Sequence, residues 1–440
     1  MQQRADKLRL VAEKAKQDKK WKFCTLAHHI NPQSLAQSYK QLNKYSACGV
    51  DGVTVKEYGS NLENNIANLH ARMKAGRYWP KPVKRVYIPK AVKNELRPLG
   101  LPAVEDKLVQ MGLKEILEAI FEQDFLDCSH GFRLGVSCHT AVKELNRSIM
   151  HNPINWVVEV DIKKFFDTID HNWLFEMLKQ RISDPVFLGL IWRFLRAGIM
   201  EGSIKKPSDE GAPQGGIISP VLANIYLHSV LDRWFDERFS KQANGYVQLI
   251  RYCDDFVMVC EYEQDAKDFL QQLIERLAKF GLEIAPEKTR IIKFGRKTWN
   301  EAKKTGEKIK SFDFLGFTHY CKESRNGYFI VGHKTSRKRL VEKLKAFNLW
   351  LKSIRNMCPM KDWWKIVKAK VIGHYNYFGI NGNIRMLKKF HQATVRICFK
   401  WMNRRSQKKS MNWEQFTQYL EWKPLPKPRI CKKILYSMSD

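Results

Sequence analysis

Apolar residues recur at helical spacing through residues 4–75, broken at Ser46-Ala47-Cys48-Gly49-Val50-Asp51-Gly52, whose glycines mark a turn. An N-terminal layer of helices and loops is expected. After Trp79-Pro80-Lys81-Pro82, residues 83–90 alternate enough for a strand and 96–101 supply a second, which together predict a hairpin bearing basic residues. Residues 104–121 and 171–198 have helical spacing, while 155–162 is a β-rich run carrying Asp161 at its end. Residues 218–238 read as helix, 246–260 as two strands around Cys253-Asp254-Asp255, and 263–280 as helix again. The centre is therefore α+β, with an antiparallel hairpin at its heart. Farther on, 336–351, 363–378 and 384–401 have the periodicity of three lysine-rich helices, and the prolines of 423–429 hold that stretch extended as a basic surface arm.

Composition narrows the function. At about 150 residues per domain, 440 residues suggest three domains, and 44% apolar content excludes a mainly disordered chain. Charge interrupts every apolar stretch long before the ~20 residues of a membrane span, so no membrane partner is expected. Residues 1–7 continue a charged helical pattern without an apolar leader, and ten cysteines contain no C-x-x-C pair. A reduced, cytoplasmic setting is expected. Lys and Arg number 77 against 45 Asp and Glu, a net +32. Residues 301–440 hold 32 of those bases and only 9 acids, net +23, which leaves +9 for the first 300. Lysines and arginines interleaved with Trp, Tyr and Phe suit a phosphate backbone with unstacked bases, so nucleic acid is the leading partner. A basic membrane-surface helix fits poorly, because this third is long and has apolar periodicity of its own.

Chemistry concentrates at Tyr252-Cys253-Asp254-Asp255. Adjacent carboxylates at a strand-turn-strand junction repel, unless a divalent cation lies between them and a third carboxylate. Asp161 is the natural third. Two Mg²⁺ ions about 3.5–4 Å apart could then activate a primer 3′-hydroxyl and stabilise a leaving pyrophosphate. The plain alternative for Asp254-Asp255 is a solvated turn.

Five ordered blocks decide between these readings: Asp161-Ile162-Lys163-Lys164-Phe165-Phe166-Asp167, Gly211-Ala212-Pro213-Gln214-Gly215-Gly216-Ile217-Ile218-Ser219-Pro220, Tyr252-Cys253-Asp254-Asp255, Gly281-Leu282-Glu283-Ile284-Ala285-Pro286-Glu287-Lys288-Thr289 and Phe312-Asp313-Phe314-Leu315-Gly316-Phe317. In that order they resemble the reverse transcriptases encoded by group II introns, the intron maturases, over nearly the whole chain. The resemblance implies a right-hand polymerase, fingers and palm with an antiparallel palm sheet, followed by an all-helical thumb or X (maturase) domain. The expected boundaries are an N-terminal extension at 1–75, fingers and palm at 76–300, palm end and thumb/X domain at 301–405, and a basic tail at 406–440. It implies catalysis and metal binding by Asp161, Asp254 and Asp255, with Ile162 beside them, and two Mg²⁺ ions for which Mn²⁺ could substitute. Lys90, Arg97, Phe166, Gln214 and Gly215 would form the dNTP pocket, Phe166 as a gate against a 2′-hydroxyl unless it is simple core. Lys288 is a possible general acid toward pyrophosphate, and Leu315 and Gly316 a primer grip.

Template or RNA contacts are expected from Arg133, His374, Tyr375 and Tyr377, the last three within Gly373-His374-Tyr375-Asn376-Tyr377-Phe378-Gly379, which resembles the X domain's most recognisable stretch. The plain alternative makes these aromatics helix core. Two positions depart from the pattern: Cys253 stands where alanine is commonest, and Leu134 where proline usually follows the arginine. The implied partners are the parent intron RNA, an RNA template with a DNA primer, dNTPs and target DNA, with monomer and dimer both open. No paired-histidine and C-x-x-C nuclease signature follows, so target-DNA cleavage is not expected. Two other readings compete: a non-catalytic splicing cofactor that keeps the fold for RNA binding, and a domesticated relative acting in defence or DNA repair.

Overall fold

Polar caps build the N-terminal layer. The Asn31 side chain accepts from the Ser34 amide while Ser34 Oγ accepts from Asn31 N, starting helix Pro32–Gln41 with proline in its first turn. Thr54 and Glu57 do the same for Val55–Ser60. Helices Gln2–Gln17 and Pro32–Gln41 pack on Val104–Phe121, whose Leu108, Val109, Leu113 and Leu117 are completely buried. The computed structural model describes residues 2–89, 96–202, 204–206, 210–211, 215–405 and 410–434.

The helix expected over 171–198 is two, His171–Lys179 and Pro185–Leu195, the second started afresh by an Asp184 cap and Pro185 in its first turn. One Asp184 oxygen accepts from the Val186 and Phe187 amides, and the second accepts from Leu26 and Ala27, tying the N-terminal layer to the centre. Helix Ser219–Leu227 continues through two wider π turns, His228–Asp232 and Phe235–Phe239.

Strands β1 (Val83–Pro89) and β2 (Leu96–Leu101) pair antiparallel, Ile88 opposite Arg97. The next strand, β3 (Trp156–Asp161), belongs to another sheet, whereas β4 (Ile199–Glu201) runs parallel to β1 and turns back into β5 (Ile204–Lys206). That gives the order β2-β1-β4-β5. Strands β6 (Val247–Tyr252), β7 (Asp255–Cys260) and β8 (Arg290–Lys293) join β3 in an antiparallel sheet of order β6-β7-β3-β8. Val158, Val160, Phe256 and Met258 face one core, which includes Leu222, Phe269 and Leu273 of neighbouring helices. Val157, Val257, Val259 and Ile250 face a second with Ala141, Leu145 and Ile149 of helix Cys138–His151. Burial on both faces explains why these strands read as continuous apolar runs instead of alternating ones.

Within the basic third, 312–335 form a sheet that apolar spacing did not reveal: β9 (Phe312–Phe314), β10 (Phe317–Glu323) and β11 (Phe329–Thr335), antiparallel throughout. Its Phe312, Phe314, Phe329 and Val331 complete the second core. Helices Arg337–Ile354, Met360–Phe378 and Ile384–Met402 follow within a few residues of expectation, and Trp413–Trp422 adds a fourth. Trp363, Trp364, Tyr375 and Phe378 are buried among them. The proline-rich stretch is extended, as expected, but it is also pinned. Trp364 Nε1 donates to Lys423 O at 3.2 Å, the Cys431 amide to Gly379 O at 2.6 Å, and Asn381 exchanges two hydrogen bonds with the Ile434 backbone. All ten cysteines are free. Among the described residues no helix is long and apolar enough to cross a membrane.

Candidate active site

The centre is the β6–β7 hairpin and the neighbouring end of β3. Tyr252 pairs with Asp255 across a two-residue turn, Cys253-Asp254, and Asp255 pairs with Asp161. Directly opposed residues share a sheet face, so Tyr252, Asp255 and Asp161 form one row, with Glu159 two residues behind Asp161. Such a turn demands positive φ, and Cys253 adopts φ +59° although it is not glycine. The surroundings hold it there. Gly131 lies against the turn so closely that a β-carbon would come 2.4 Å from the Cys253 amide nitrogen.

Behind the turn, the Arg251 guanidinium is completely buried. Its Nε and Nη2 fork onto Asp232 at 2.7 and 2.6 Å, Nη2 also reaches Ser129 Oγ at 2.7 Å, and Nη1 donates to Asn224 Oδ1 and the Cys253 carbonyl, both at 3.1 Å. Asn224 Nδ2 in turn donates to Gly131 O at 2.7 Å. Burial alone would raise the Asp232 carboxyl, but the Arg251 charge outweighs it and holds the group below its usual range. Positions 129, 131, 224, 232 and 251 thus form the support of the carboxylate turn, which sequence reading missed. The one signal was a charged Arg251 inside an apolar strand.

Negative charge is concentrated in front. Burial, then Asp254, Asp161 and Glu159, push Asp255 up to about 7 against an opposing pull from Arg339. A hard divalent cation suits this oxygen-rich cluster and would relieve the repulsion. Its ligands are not drawn together in this conformation: among the described residues no three carboxylate, histidine or cysteine side chains converge to hold an ion. The Lys288 ammonium is hydrogen-bonded to Asp161 Oδ2 instead, which raises the lysine. The backbone supports that pairing, since the Ala285 amide donates to Asp161 O at 2.7 Å and the Lys163 amide to Glu283 O at 2.8 Å. Ile162 is buried between them, its own carbonyl outside these two bonds.

The glycine-rich block lies beside this row. Gly211 (φ +86°) backs onto Phe166 and Asp167, and His171 Nε2 donates to its carbonyl at 2.7 Å. At Gly215 (φ +105°) a β-carbon would come 2.5 Å from Gly100 O on β2, so only glycine lets this block approach the strand that carries Arg97. Gln110 Oε1 fixes the exit by accepting from Ile217 N at 2.7 Å. Phe165 is core, whereas Phe166 is half-buried beside it. Lys90 and Gln214 lie outside the described residues.

Leu315 (φ +49°) and Gly316 (φ +79°) form the two-residue β9–β10 turn. Tyr377 Oη donates to Leu315 O at 3.0 Å and the Ser336 amide to Gly316 O at 3.0 Å. Three of the residues expected to contact RNA are turned into the fold. Arg133 points inward, with Nε on Glu122 at 2.8 Å and Nη1 on the Leu126 and Ser129 carbonyls at 2.8 Å. His374 is buried against Phe390, ring centroids 3.5 Å apart, and Tyr375 is buried with its hydroxyl 2.9 Å from His391 Nδ1. The Tyr375 hydroxyl thus serves the fold, while His374 contributes its ring to the packing. Tyr377 is half-buried and serves the Leu315 turn. Arg339, which nothing in the lysine-rich helical pattern distinguished, is a second cation whose charge is felt in the carboxylate row, at Asp255. Nearby, a groove of about 660 Å³ is lined by Arg290, Lys334, Arg337, Lys338 and Lys345, with Asp313 as its one acid.

Residues 88–319 match the family described as reverse transcriptase (RNA-dependent DNA polymerase). The chain is 34% identical over 277 residues to group II intron-encoded protein LtrA of Lactococcus lactis subsp. cremoris, covering 61% of this chain and 46% of that protein. It is 35% identical over 239 residues to protein YkfC of Escherichia coli (strain K12), covering 48% and 62% respectively. Nuclear intron maturase 4, mitochondrial, of Arabidopsis thaliana is 30% identical over 142 residues, 32% of this chain and 17% of that one. The chain spans about half the length of the first two relatives.

Proposed function

The chain belongs to the reverse transcriptase (RNA-dependent DNA polymerase) family, and from that premise we propose that it extends a DNA primer on an RNA template and also binds a group II intron RNA as its maturase. The observation that carries the polymerase reading is the row Tyr252, Asp255 and Asp161 on one sheet face, with Asp254 on the adjoining turn. Asp161, Asp254 and Asp255, helped by the Ile162 carbonyl, would hold magnesium. Bound there, two such ions would activate the primer hydroxyl and neutralise charge on the departing pyrophosphate. The chain's own residues do the rest. Gly215, tight under β2, keeps the nucleotide pocket open to a triphosphate that Lys90 and Arg97 would meet, and Phe166 would exclude a 2′-hydroxyl. Lys288 would hold its proton at Nζ for pyrophosphate.

In this reading the β-rich centre is fingers and palm, the β9–β10 turn a primer grip, and the helices from Arg337 onward a thumb and X domain. The basic groove supports passage of a phosphate backbone beside the site. The +23 of residues 301–440 exceeds what gripping one duplex requires and supports a structured RNA as a further ligand. Retromobility, with target DNA as partner, belongs to the same proposal.

Primer extension on an RNA template tests it. Asp254→Ala with Asp255→Ala should abolish synthesis while leaving primer–template binding in place; undiminished synthesis would refute the metal assignment. The splicing-cofactor alternative draws on the pairing of Lys288 with Asp161. That alternative requires a wild-type protein inert on every primer and template yet active in splicing.

A further inference from the structure

The loop that backs the carboxylate turn carries a strained, exposed aromatic residue. Phe132 has φ +56°, a conformation a bulky side chain adopts only under strain, and its ring is 53% exposed. Nothing about burial explains a phenylalanine there; glycine or asparagine would fit the backbone better and expose less apolar surface. The loop is nonetheless rigidly specified. Before it, Gly131 is locked against Cys253 and held by Asn224. After it, Arg133 is anchored inward by Glu122 and two carbonyls. The anchors leave Phe132 and Leu134, itself 69% exposed, standing outward on either side.

The direction is informative. Phe132 lies beside Tyr252, ring centroids 6.3 Å apart at 40°, at the Tyr252 end of the row that runs through Asp255 to Asp161. Strands in a sheet are about 4.8 Å apart, so along the row the ring stands about 11 Å from Asp255 and about 16 Å from Asp161, roughly three to five base-pair rises of 3.4 Å. The ring is thus within reach of the first few base pairs of a duplex whose primer terminus meets those carboxylates.

We propose that Phe132, seconded by Leu134, is an apolar positioning shelf for the base and sugar surface of the last base pairs of the primer–template duplex, contacting the nucleic acid by packing and not through phosphate. The proposal rests on the polymerase reading for its ligand. It also gives Arg133 a role: the arginine acts through Phe132 by fixing the loop, and does not touch the template.

The test is a binding titration of a fluorescent DNA primer annealed to an RNA template, over a range of salt concentrations, with thermal unfolding of the same proteins. Aromatic contacts to a base are worth about 1–3 kcal/mol. Phe132→Gly should therefore weaken binding about 5- to 100-fold, leave the slope of log affinity against log salt unchanged, and leave the melting temperature equal or higher because strain is relieved. Phe132→Tyr should bind within about twofold of wild type. Two results overturn the shelf: wild-type affinity in Phe132→Gly, which would assign the exposed pair to another partner such as a protein, or a shallower salt slope, which would mean a phosphate contact. If Phe132→Gly lowers the melting temperature and Phe132→Tyr also loses affinity, the ring belongs to the fold and the proposal fails. Absence of DNA synthesis by the wild type would strike the polymerase reading alone; the affinity comparison decides the shelf either way.

Discussion

Asp232→Ala should be among the most damaging single changes in the protein, although it alters no residue of the carboxylate row. Arg251 and Asp232 are both without solvent exposure, joined by two short hydrogen bonds of 2.7 and 2.6 Å. Removing the carboxylate leaves a guanidinium buried and uncompensated, which costs about 3–5 kcal/mol. That is a large part of the roughly 5–15 kcal/mol typical of a folded domain. Replacing both partners by apolar residues, Arg251→Met with Asp232→Leu, leaves no stranded charge and should recover most of that loss. The double variant still lacks the guanidinium bonds to Cys253 O, Asn224 and Ser129, so the carboxylate turn loses its backing and catalysis should stay impaired while stability returns. Urea unfolding of wild type, both single variants and the double variant gives the cycle. The pair also sets an acid limit. Because Asp232 is held below its unfolded value, its contribution is present above about pH 4 and is lost as pH falls through the lowered folded value. A loss under about 1 kcal/mol in Asp232→Ala, or a double variant no more stable than the singles, would refute the reasoning.

Other expectations are independent of that pair. Gly131→Ala puts a methyl group 2.4 Å from the Cys253 amide and should cost about 1–3 kcal/mol while displacing the carboxylate turn; unfolding and primer extension should fall together. Asp255, raised to about 7, makes the folded metal-free protein bind a proton that the unfolded chain releases near pH 4, so that stability should fall as pH rises through 7. Asp255→Asn should flatten that segment of the stability profile, and the Mg²⁺ concentration needed for synthesis should rise below pH 7. Phe166→Ala should increase ribonucleotide incorporation, read by alkaline cleavage of the product; no increase would return Phe166 to the core.

The parts legible in sequence were those where neighbours in the chain are neighbours in space. Tyr252 through Asp255 is a local hairpin, and Asp161 closes an apolar strand, so short apolar β-rich runs ending in carboxylates sufficed for both. The lysine-rich helices were equally local. The support behind the turn was not legible, because Asp232, Asn224 and Ser129 lie 19, 27 and 122 residues from Arg251 and each looks ordinary alone. The inward turn of Arg133 depends on Glu122 and on carbonyls that only the folded loop presents. His374 and Tyr375 show the reverse hazard: polar groups beside aromatics suggest a ligand, but helix packing decides which face they occupy. Sheet β9–β11 was hidden for another reason, since His319 and His333 stand at buried positions where an apolar residue would have shown the alternation.

Copying of RNA into DNA by this chain would depend on Asp161, Asp254 and Asp255. Single-turnover extension of a DNA primer on a defined RNA template, using wild type and Asp254→Asn with Asp255→Asn at matched primer–template occupancy, tests it most directly. Mg²⁺-dependent products complementary to the template are expected from the wild type and none from the variant. Equal synthesis by both, or a wild type that binds the duplex and never extends it, would contradict that expectation.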